Sequence, residues 1–156
     1  MRKEAFIQCA LEQERTLYRV AKTILRSDAD CADAVQEALL KGLNHAAVLR
    51  NECYAKTWLT RILLNTCKDM LRKEKRQPTV ALSDYLPAED RAEQRELYEA
   101  LQALEEKWRL PLVLHYLEGF SIREIAQMLR VPEGTVKRRL WQARKEMKAM
   151  LTEEAI

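Results

Sequence analysis

SIREIAQMLRVPEGTVKRRLWQARKEMK, residues 121–148, has the most informative residue pattern in this chain. Its last twelve residues contain six basic side chains and one acidic side chain, Glu146. The whole chain of 156 residues has a formal net charge of only +3, so positive charge is concentrated here. The basic residues are Lys137, Arg138, Arg139, Arg144, Lys145 and Lys148.

The pattern within this stretch predicts two short helices around a tight turn. Ser121 and Glu124 have the spacing of a capping box, in which each side chain bonds the other residue's backbone N–H. Pro132 ends the first helix and is tolerated in the first turn of the second. Each helix then has one apolar face, formed by Ile122, Ile125, Ala126 and Leu129 in the first and by Val136, Leu140 and Met147 in the second. This is helix-turn-helix geometry.

The polar side of the second helix is a candidate for the DNA major groove. A helix fits that groove, arginine binds guanine bidentately, and further cations neutralise phosphates. The candidate DNA contacts are Thr135, Lys137, Arg138, Arg139, Trp141 and Arg144. The alternative is an ordinary solvated basic face, which the coincidence of capping box, turn and apolar pattern disfavours. For Trp141, partial burial in the core remains an equal alternative.

The composition limits the fold class and the kind of protein that the chain can form. With 47% hydrophobic residues, three glycines and four prolines, the chain is predicted to be all-α with a packed core. No apolar run approaches the roughly 20 residues that span a bilayer, and acidic residues interrupt the N-terminus, so we expect a cytoplasmic protein without membrane insertion. The four cysteines lack metal-site or disulfide spacing, and each is predicted to be a small core residue.

Helical periodicity organises the first half of the chain. Apolar positions predict helices over about 3–26, 30–43 and 54–74, which can close a three-helix bundle. Asp28 and Asp30 are the expected N-terminal caps of the second helix. Residues 44–53 have weak periodicity and are predicted to form a loop with a short helical piece.

The second half follows a stretch without periodicity. Residues 76–92 are predicted to be a flexible linker, because prolines, serine and aspartates replace the helical pattern. Beyond it, Leu97, Leu101 and Leu104 mark one helix face. A further helix over about 106–117 contains Pro111, which requires a late start or a kink, and Gly119 suits a left-handed cap.

Three segments resemble a known family. EGFSIREIAQMLRVPEGTVKRRLWQARKEM, residues 118–147, is similar to region 4 of extracytoplasmic-function (ECF) sigma factors, the small promoter-specificity subunits of RNA polymerase. DADCADAVQEALLKGL, residues 28–43, resembles the acidic helix of region 2. TWLTRILLNTCKDMLRKEKR, residues 57–76, resembles the region 2 segment that reads the −10 promoter element.

The resemblance implies two small helical domains and a linker. Residues 1–75 would form the three-helix region 2, which binds core polymerase and the −10 element. Residues 76–92 would be the flexible linker, with acidic residues that in the family thread polymerase channels. A role of these residues in solubility alone is an equal alternative. Residues 93–156 would form the four-helix region 4, whose helix-turn-helix binds the −35 element. At its turn stands Arg130, where relatives often have glycine, and a left-handed arginine costs on the order of 1 kcal/mol.

The resemblance also assigns site residues. Core polymerase would bind Asp33, Gln36 and Glu37, and the −10 element would contact Arg61, Asn65, Lys68 and Arg72. For Asp33, in the first turn of the predicted helix, helix capping on an ordinary solvated face is an alternative. For Asn65, a buried side chain bonded to backbone is an alternative. The loop over 44–53 would capture a flipped base, with Tyr54 a candidate at its edge.

The sequence therefore predicts a sigma factor that is not an enzyme. No constellation of catalytic residues is present, and no cofactor, metal or small-molecule substrate is expected. The implied partners are RNA polymerase core, promoter DNA and an anti-sigma factor. One alternative is a helix-turn-helix regulator that binds DNA without core polymerase, typically as a dimer. Another is a helical adaptor, whose function would not depend on Arg138, Arg139 and Arg144.

Overall fold

The computed structural model describes residues 1–73 and 99–155, with side chains as far as Thr152. Throughout these ranges the secondary structure is helical and contains no strand, which confirms the all-α prediction. The chain divides into two compact units, Met1–Pro78 and Thr79–Ile156. The predicted linker over 76–92 and its acidic residues lie outside the described residues, as does Leu97.

The first unit is a bundle of three helices, each of which packs against the other two. They are α1 (Lys3–Ile24), α2 (Asp28–Asn44) and α3 (Ala55–Lys73). The predicted helices match these bounds to within two residues at each end. Between α2 and α3, two short 3₁₀ helices at Ala46–Val48 and Glu52–Tyr54 account for the predicted loop with helical pieces.

Small residues on α2 let the three helices approach closely. Ala34, Ala38 and Gly42 are buried along its inner face. At Gly42 a methyl group would lie only 2.5 Å from Cζ of Phe6, so the absence of a side chain makes room for the buried ring. Packing of this density leaves little space for added atoms.

The start of α2 differs from the prediction. Ser27 is the N-cap, and its hydroxyl oxygen accepts the N–H of Asp30 at 3.3 Å. Asp28 does not cap the helix but accepts a hydrogen bond from the hydroxyl of Tyr18 at 2.7 Å. The expectation that Asp28 or Asp30 caps α2 was therefore wrong. Because α2 begins at Asp28, Asp33 lies in its second turn, beyond the positions that cap a helix.

The second unit contains five helical pieces within the described range. They are residues 99–103, α4 (Glu106–Leu112), a π-helical segment (Val113–Leu117), α5 (Ile122–Leu129) and α6 (Glu133–Ala155). α4 begins at Glu106, so Pro111 does not delay it. The bonding changes after the proline instead: the N–H of Glu118 donates to the carbonyl of Val113 at 3.0 Å. Gly119 has the predicted left-handed conformation, with φ of +77°.

The pair α5 and α6 forms the predicted helix-turn-helix. Ser121 Oγ accepts the N–H of Glu124 at 3.1 Å, and the Glu124 carboxylate accepts the N–H of Ser121 at 2.9 Å, which is a complete capping box. Arg130 occupies the turn in the left-handed region, at φ 57° and ψ 47°. Of the predicted inner residues, Ile125, Ala126, Val136, Leu140 and Met147 are buried, whereas Ile122 and Leu129 are only half-buried. Met128 and Ala143 are buried as well.

The cysteines do not share one environment. Cys31 and Cys67 are buried, Cys9 is half-buried, and Cys53 is exposed, so the prediction of four core cysteines was wrong for Cys53. Among the described residues, no three potential metal ligands cluster. No helix in the same range is both long enough and apolar enough to cross a membrane.

Candidate nucleic-acid interface

The candidate −35 residues on α6 are distributed around the helix. At about 100° per residue, Arg138, Trp141 and Lys145 project within about 60° of one another, opposite the buried face. All three are exposed. Lys145 was not among the predicted DNA contacts. Its Nζ lies 5.1 Å from the centroid of the Trp141 ring. Its spacing of seven from Arg138 was the signal that would have found it.

Trp141 belongs to this outward face. Its side chain is 56% exposed, so the alternative of partial burial in the core is wrong. The indole offers a flat apolar surface beside two cations, Arg138 and Lys145. Such a face can contact a thymine methyl group while the cations meet base edges or phosphates.

The other candidates lie on the two flanks of α6. Thr135 and Arg139, one turn apart and both half-buried, occupy one flank. Lys137 and Arg144 occupy the other, about 100–120° from Arg138. The six predicted residues therefore do not form one continuous face.

Arg144 makes contacts within its own unit. Its guanidinium donates a hydrogen bond to the hydroxyl of Tyr116, and its central carbon lies 5.8 Å from the Tyr116 ring centroid. The pair lies at the rim of an apolar groove of about 720 Å³. The groove is lined chiefly by Leu101, Leu112, Val113, Leu117, Met147 and Leu151.

The candidate −10 residues form a single stripe on α3. Arg61, Asn65, Lys68 and Arg72 follow one another at intervals of four, three and four, which is one helix face. Asn65, Lys68 and Arg72 are exposed and Arg61 is half-buried. The alternative of a buried Asn65 is therefore wrong. Arg72 also pairs with Asp69 one turn earlier.

The loop before α3 is tied down at two points. The N-terminal amino group of Met1 donates to the carbonyl of Leu49 at 2.6 Å, and Asn51 Oδ1 accepts the N–H of Cys53 at 3.0 Å. Tyr54 is 46% exposed at the end of this loop, where its ring is accessible to a base. Trp58 instead packs edge-on against Phe6, with ring centroids 6.1 Å apart.

The candidate polymerase-binding residues are exposed together on α2. Asp33, Gln36 and Glu37 share one face because they are spaced three and four apart. Glu37 forms an ion pair of 3.1 Å with Lys41, whose Nζ also lies 3.4 Å from the Thr66 hydroxyl of α3. Because Asp33 is not at the helix start, capping does not explain its presence.

Two family models match the chain in the order of its two units. The model described as Sigma-70 region 2 matches residues 11–77, and the model described as Sigma-70, region 4 matches residues 94–147. The first match contains the stripe on α3 and the acidic face of α2. The second contains most of the helix-turn-helix.

Curated relatives match nearly the full length of the chain. The ECF RNA polymerase sigma factor SigM of Mycobacterium tuberculosis strain H37Rv is 37% identical over 151 residues, covering 94% of this chain and 77% of SigM. The RNA polymerase sigma factor SigV of Bacillus subtilis is 31% identical over 156 residues, covering 97% of this chain and 94% of SigV.

Solved structures share the fold. RpoE of Bartonella quintana, in complex with the anti-sigma factor NepR, superposes with a TM-score of 0.83 at 23% identity, covering 94% of this chain and 96% of RpoE. CnrH, in complex with the cytosolic domain of CnrY, gives a TM-score of 0.74 at 24% identity, with 97% and 90% coverage.

Proposed function

The chain belongs to the ECF sigma factor family of RNA polymerase, and from this we propose how its residues divide the work of promoter recognition. Residues 1–75 act as region 2, which binds core polymerase and the −10 element. Residues 76–92 act as the linker, and residues 93–156 act as region 4, which reads the −35 element. The chain performs no chemistry itself and works in the cytoplasm, where polymerase copies DNA.

The observation that carries this proposal is the stripe on α3. Four side chains that can contact DNA, Arg61, Asn65, Lys68 and Arg72, lie on one face, while Leu59, Leu63 and Cys67 are buried on another. Asparagine can bond adenine edges, and arginine or lysine can neutralise phosphates. A solvated basic face does not require an exposed asparagine at its centre.

The helix-turn-helix supplies the second DNA contact. Arg138, Trp141 and Lys145 project away from the core, and Thr135 and Arg139 lie beside them near the helix start. In this motif the N-terminal part of the second helix contacts base edges. We therefore assign base contacts to the Thr135–Arg139 end and phosphate contacts to the cations that follow.

The acidic face of α2 is the proposed binding site for core polymerase. Asp33, Gln36 and Glu37 are exposed and adjacent. Carboxylates on both sides of an amide fit a basic partner surface, and such charges increase the association rate and fix the register of binding.

An anti-sigma factor is the proposed regulator. RpoE, which shares the fold, was solved with its anti-sigma factor NepR. A protein that covers the stripe on α3 or the outward face of α6 would prevent promoter binding.

In vitro transcription tests the function as a whole. Core polymerase is incubated with the full chain and a promoter library, and transcripts are mapped by their 5′ ends. We expect start sites that require the chain, loss of core binding when Asp33 and Glu37 are changed to lysine, and altered start-site choice when Arg138 and Arg139 are changed to glutamine. Tight binding of duplex DNA by the chain alone, without core association, would instead indicate an ordinary helix-turn-helix regulator.

A further inference from the structure

Leu40 is an apolar side chain on the outer surface of α2. It is 62% exposed, whereas Val35 is buried and Leu39 and Leu43 are half-buried. Within α2, whose residues are all described, Leu40 is the one exposed large apolar side chain.

Leu40 shares its face with the candidate polymerase-binding residues. It follows Asp33 by seven residues, Gln36 by four and Glu37 by three, so the four side chains lie within about 100° of arc. The apolar group therefore extends the acidic face of α2 toward the C-terminal end of the helix.

The charges around Leu40 are arranged asymmetrically. Glu37 pairs with Lys41, and Lys41 is directed toward α3, where its Nζ lies 3.4 Å from the Thr66 hydroxyl. Asp33 forms no ion pair with any residue that the structure describes. The exposed face thus combines a carboxylate available to a partner with an apolar group one to two turns away.

A leucine on a surface helix is not by itself unusual, because single exposed apolar residues are common and leucine favours helices. The position of Leu40 is what distinguishes it. Protein interfaces generally combine a dry apolar centre with a polar rim, and most of the binding energy comes from the few residues at that centre.

We propose that Leu40 is the apolar anchor of the α2 face that docks on core polymerase. This inference rests on the proposed function. The partner surface has an apolar recess for the Leu40 side chain, with basic groups placed to meet Asp33 and Glu37. Burial of Leu40 supplies affinity, while the carboxylates set orientation and association rate.

The test measures the affinity of the full chain for core polymerase. Leu40→Ala removes most of the apolar side chain, and Leu40→Asp places a charge in the proposed recess. Leu11→Asp is the matched control, since Leu11 is an equally exposed leucine, at 64%, on α1 of the same unit. We expect Kd to rise about threefold to tenfold for Leu40→Ala and at least about tenfold for Leu40→Asp. Leu11→Asp should stay within about twofold.

Measurements at different ionic strengths distinguish the apolar contribution to this affinity from the electrostatic one. The loss caused by Leu40→Ala should persist at high ionic strength, whereas the loss caused by Asp33→Asn should shrink. Thermal melts verify folding, and if Leu40→Asp unfolds, the result for Leu40→Ala decides.

Two results would overturn the inference. One is Leu40→Ala with unchanged affinity, and the other is an equal loss for Leu11→Asp and Leu40→Asp. If Leu40→Ala has no effect while charge reversal of Asp33 and Glu37 abolishes binding, the α2 site stands and only the anchor is wrong. If charge reversal also has no effect, the proposed polymerase site itself fails.

Discussion

Arg144 on α6 donates a hydrogen bond to the hydroxyl of Tyr116, 28 residues earlier in the π-helical segment. The guanidinium also lies against the same ring, 5.8 Å from its centroid. Arg144 lies on a flank of α6, about 120° around the helix from Arg138. A residue predicted to contact DNA therefore also links two elements of its own unit.

Tyr116→Phe removes this hydrogen bond and keeps the ring. Because both side chains are exposed, we expect the unfolding free energy to fall by only about 0.5–1 kcal/mol. Urea denaturation of the full chain provides the measurement. In an Arg144→Ala background the same change should have no further effect, and a persistent loss there would show that the bond is not the cause.

Lys145→Gln should weaken promoter binding by the polymerase complex and reduce its salt dependence. If Lys145 neutralises a phosphate, the slope of log K against log salt should fall in magnitude by about 1. Titrations of a promoter fragment at several salt concentrations give the slope. Lys107→Gln is the control, because this exposed cation on α4 pairs with Glu105 at 3.5 Å and lies outside the candidate site. A slope that Lys145→Gln leaves unchanged would remove Lys145 from the phosphate contacts.

Gly42→Ala should destabilise the first unit. The added methyl group would lie 2.5 Å from Phe6 Cζ and 3.2 Å from Leu59 Cδ1, so the core must shift at a cost of about 1–3 kcal/mol. Gly134→Ala is the matched control, since nothing lies within 4 Å of its added methyl group and alanine favours the helix by about 0.5–1 kcal/mol. Opposite shifts in melting temperature are expected, and a neutral Gly42→Ala would show that Phe6 moves freely.

Arg130→Gly should stabilise the helix-turn-helix. Arg130 has φ of 57°, where a Cβ atom is unfavourable, so glycine relieves strain of up to about 1 kcal/mol. Arg130→Ala retains the Cβ atom and should give no such gain. Chemical denaturation of both variants checks this. Equal stability of Arg130→Gly and the natural chain would show that the backbone at Arg130 is not strained.

Because the thiol of Cys31 is buried, we expect the stability of the protein to depend on pH in the alkaline range. Desolvation by burial raises the pKa of its thiol from 9.0 to about 12. The folded state then holds the thiol proton more tightly than the unfolded chain does. Its contribution to stability is therefore complete below pH 9.0 and is lost as pH rises to about 12, at no more than about 1.4 kcal/mol per pH unit.

Cys31→Ala isolates this contribution. The difference in unfolding free energy between the natural chain and the variant should be constant below pH 9.0 and should shrink above it. Titration of tyrosine and lysine affects both proteins equally and cancels in the difference. A difference that does not change between pH 8 and 11 would contradict the prediction.

Local patterns made much of the fold predictable. The capping box of Ser121 and Glu124 joins residues three apart, so both bonds follow from the sequence. The strain at Arg130 was also predictable, because a tight turn after a helix generally needs a left-handed residue. Apolar periodicity predicted the bounds of α1, α2 and α3 for the same local reason.

The start of α2 was less predictable, because Ser27, Asp28 and Asp30 can all cap a helix. In the structure Ser27 caps the helix, and Asp28 accepts a hydrogen bond from Tyr18, ten residues earlier. Because α2 begins at Asp28 and not at residue 30, Asp33 lies outside the first turn, and helix capping does not explain its presence.

Contacts between distant residues were not predictable from local pattern. The hydrogen bond from Arg144 to Tyr116 and the room that Gly42 leaves for Phe6 depend on how helices pack, which periodicity does not specify. The order of side chains around α6 was available from the sequence. The predicted DNA-contact set nevertheless included Arg144, which lies on a flank, and omitted Lys145, which lies beside Arg138 and Trp141.

The π-helical segment Val113–Leu117 needs one residue more than an α-helical turn would. Its final bond, from the N–H of Glu118 to the carbonyl of Val113, spans five residues rather than four. Removal of one residue just before Tyr116 would shift Tyr116 back by one place along the helix, which turns its side chain by about 100°. Tyr116 would then turn away from Arg144, so we expect a one-residue deletion here to be tolerated far less well than a substitution.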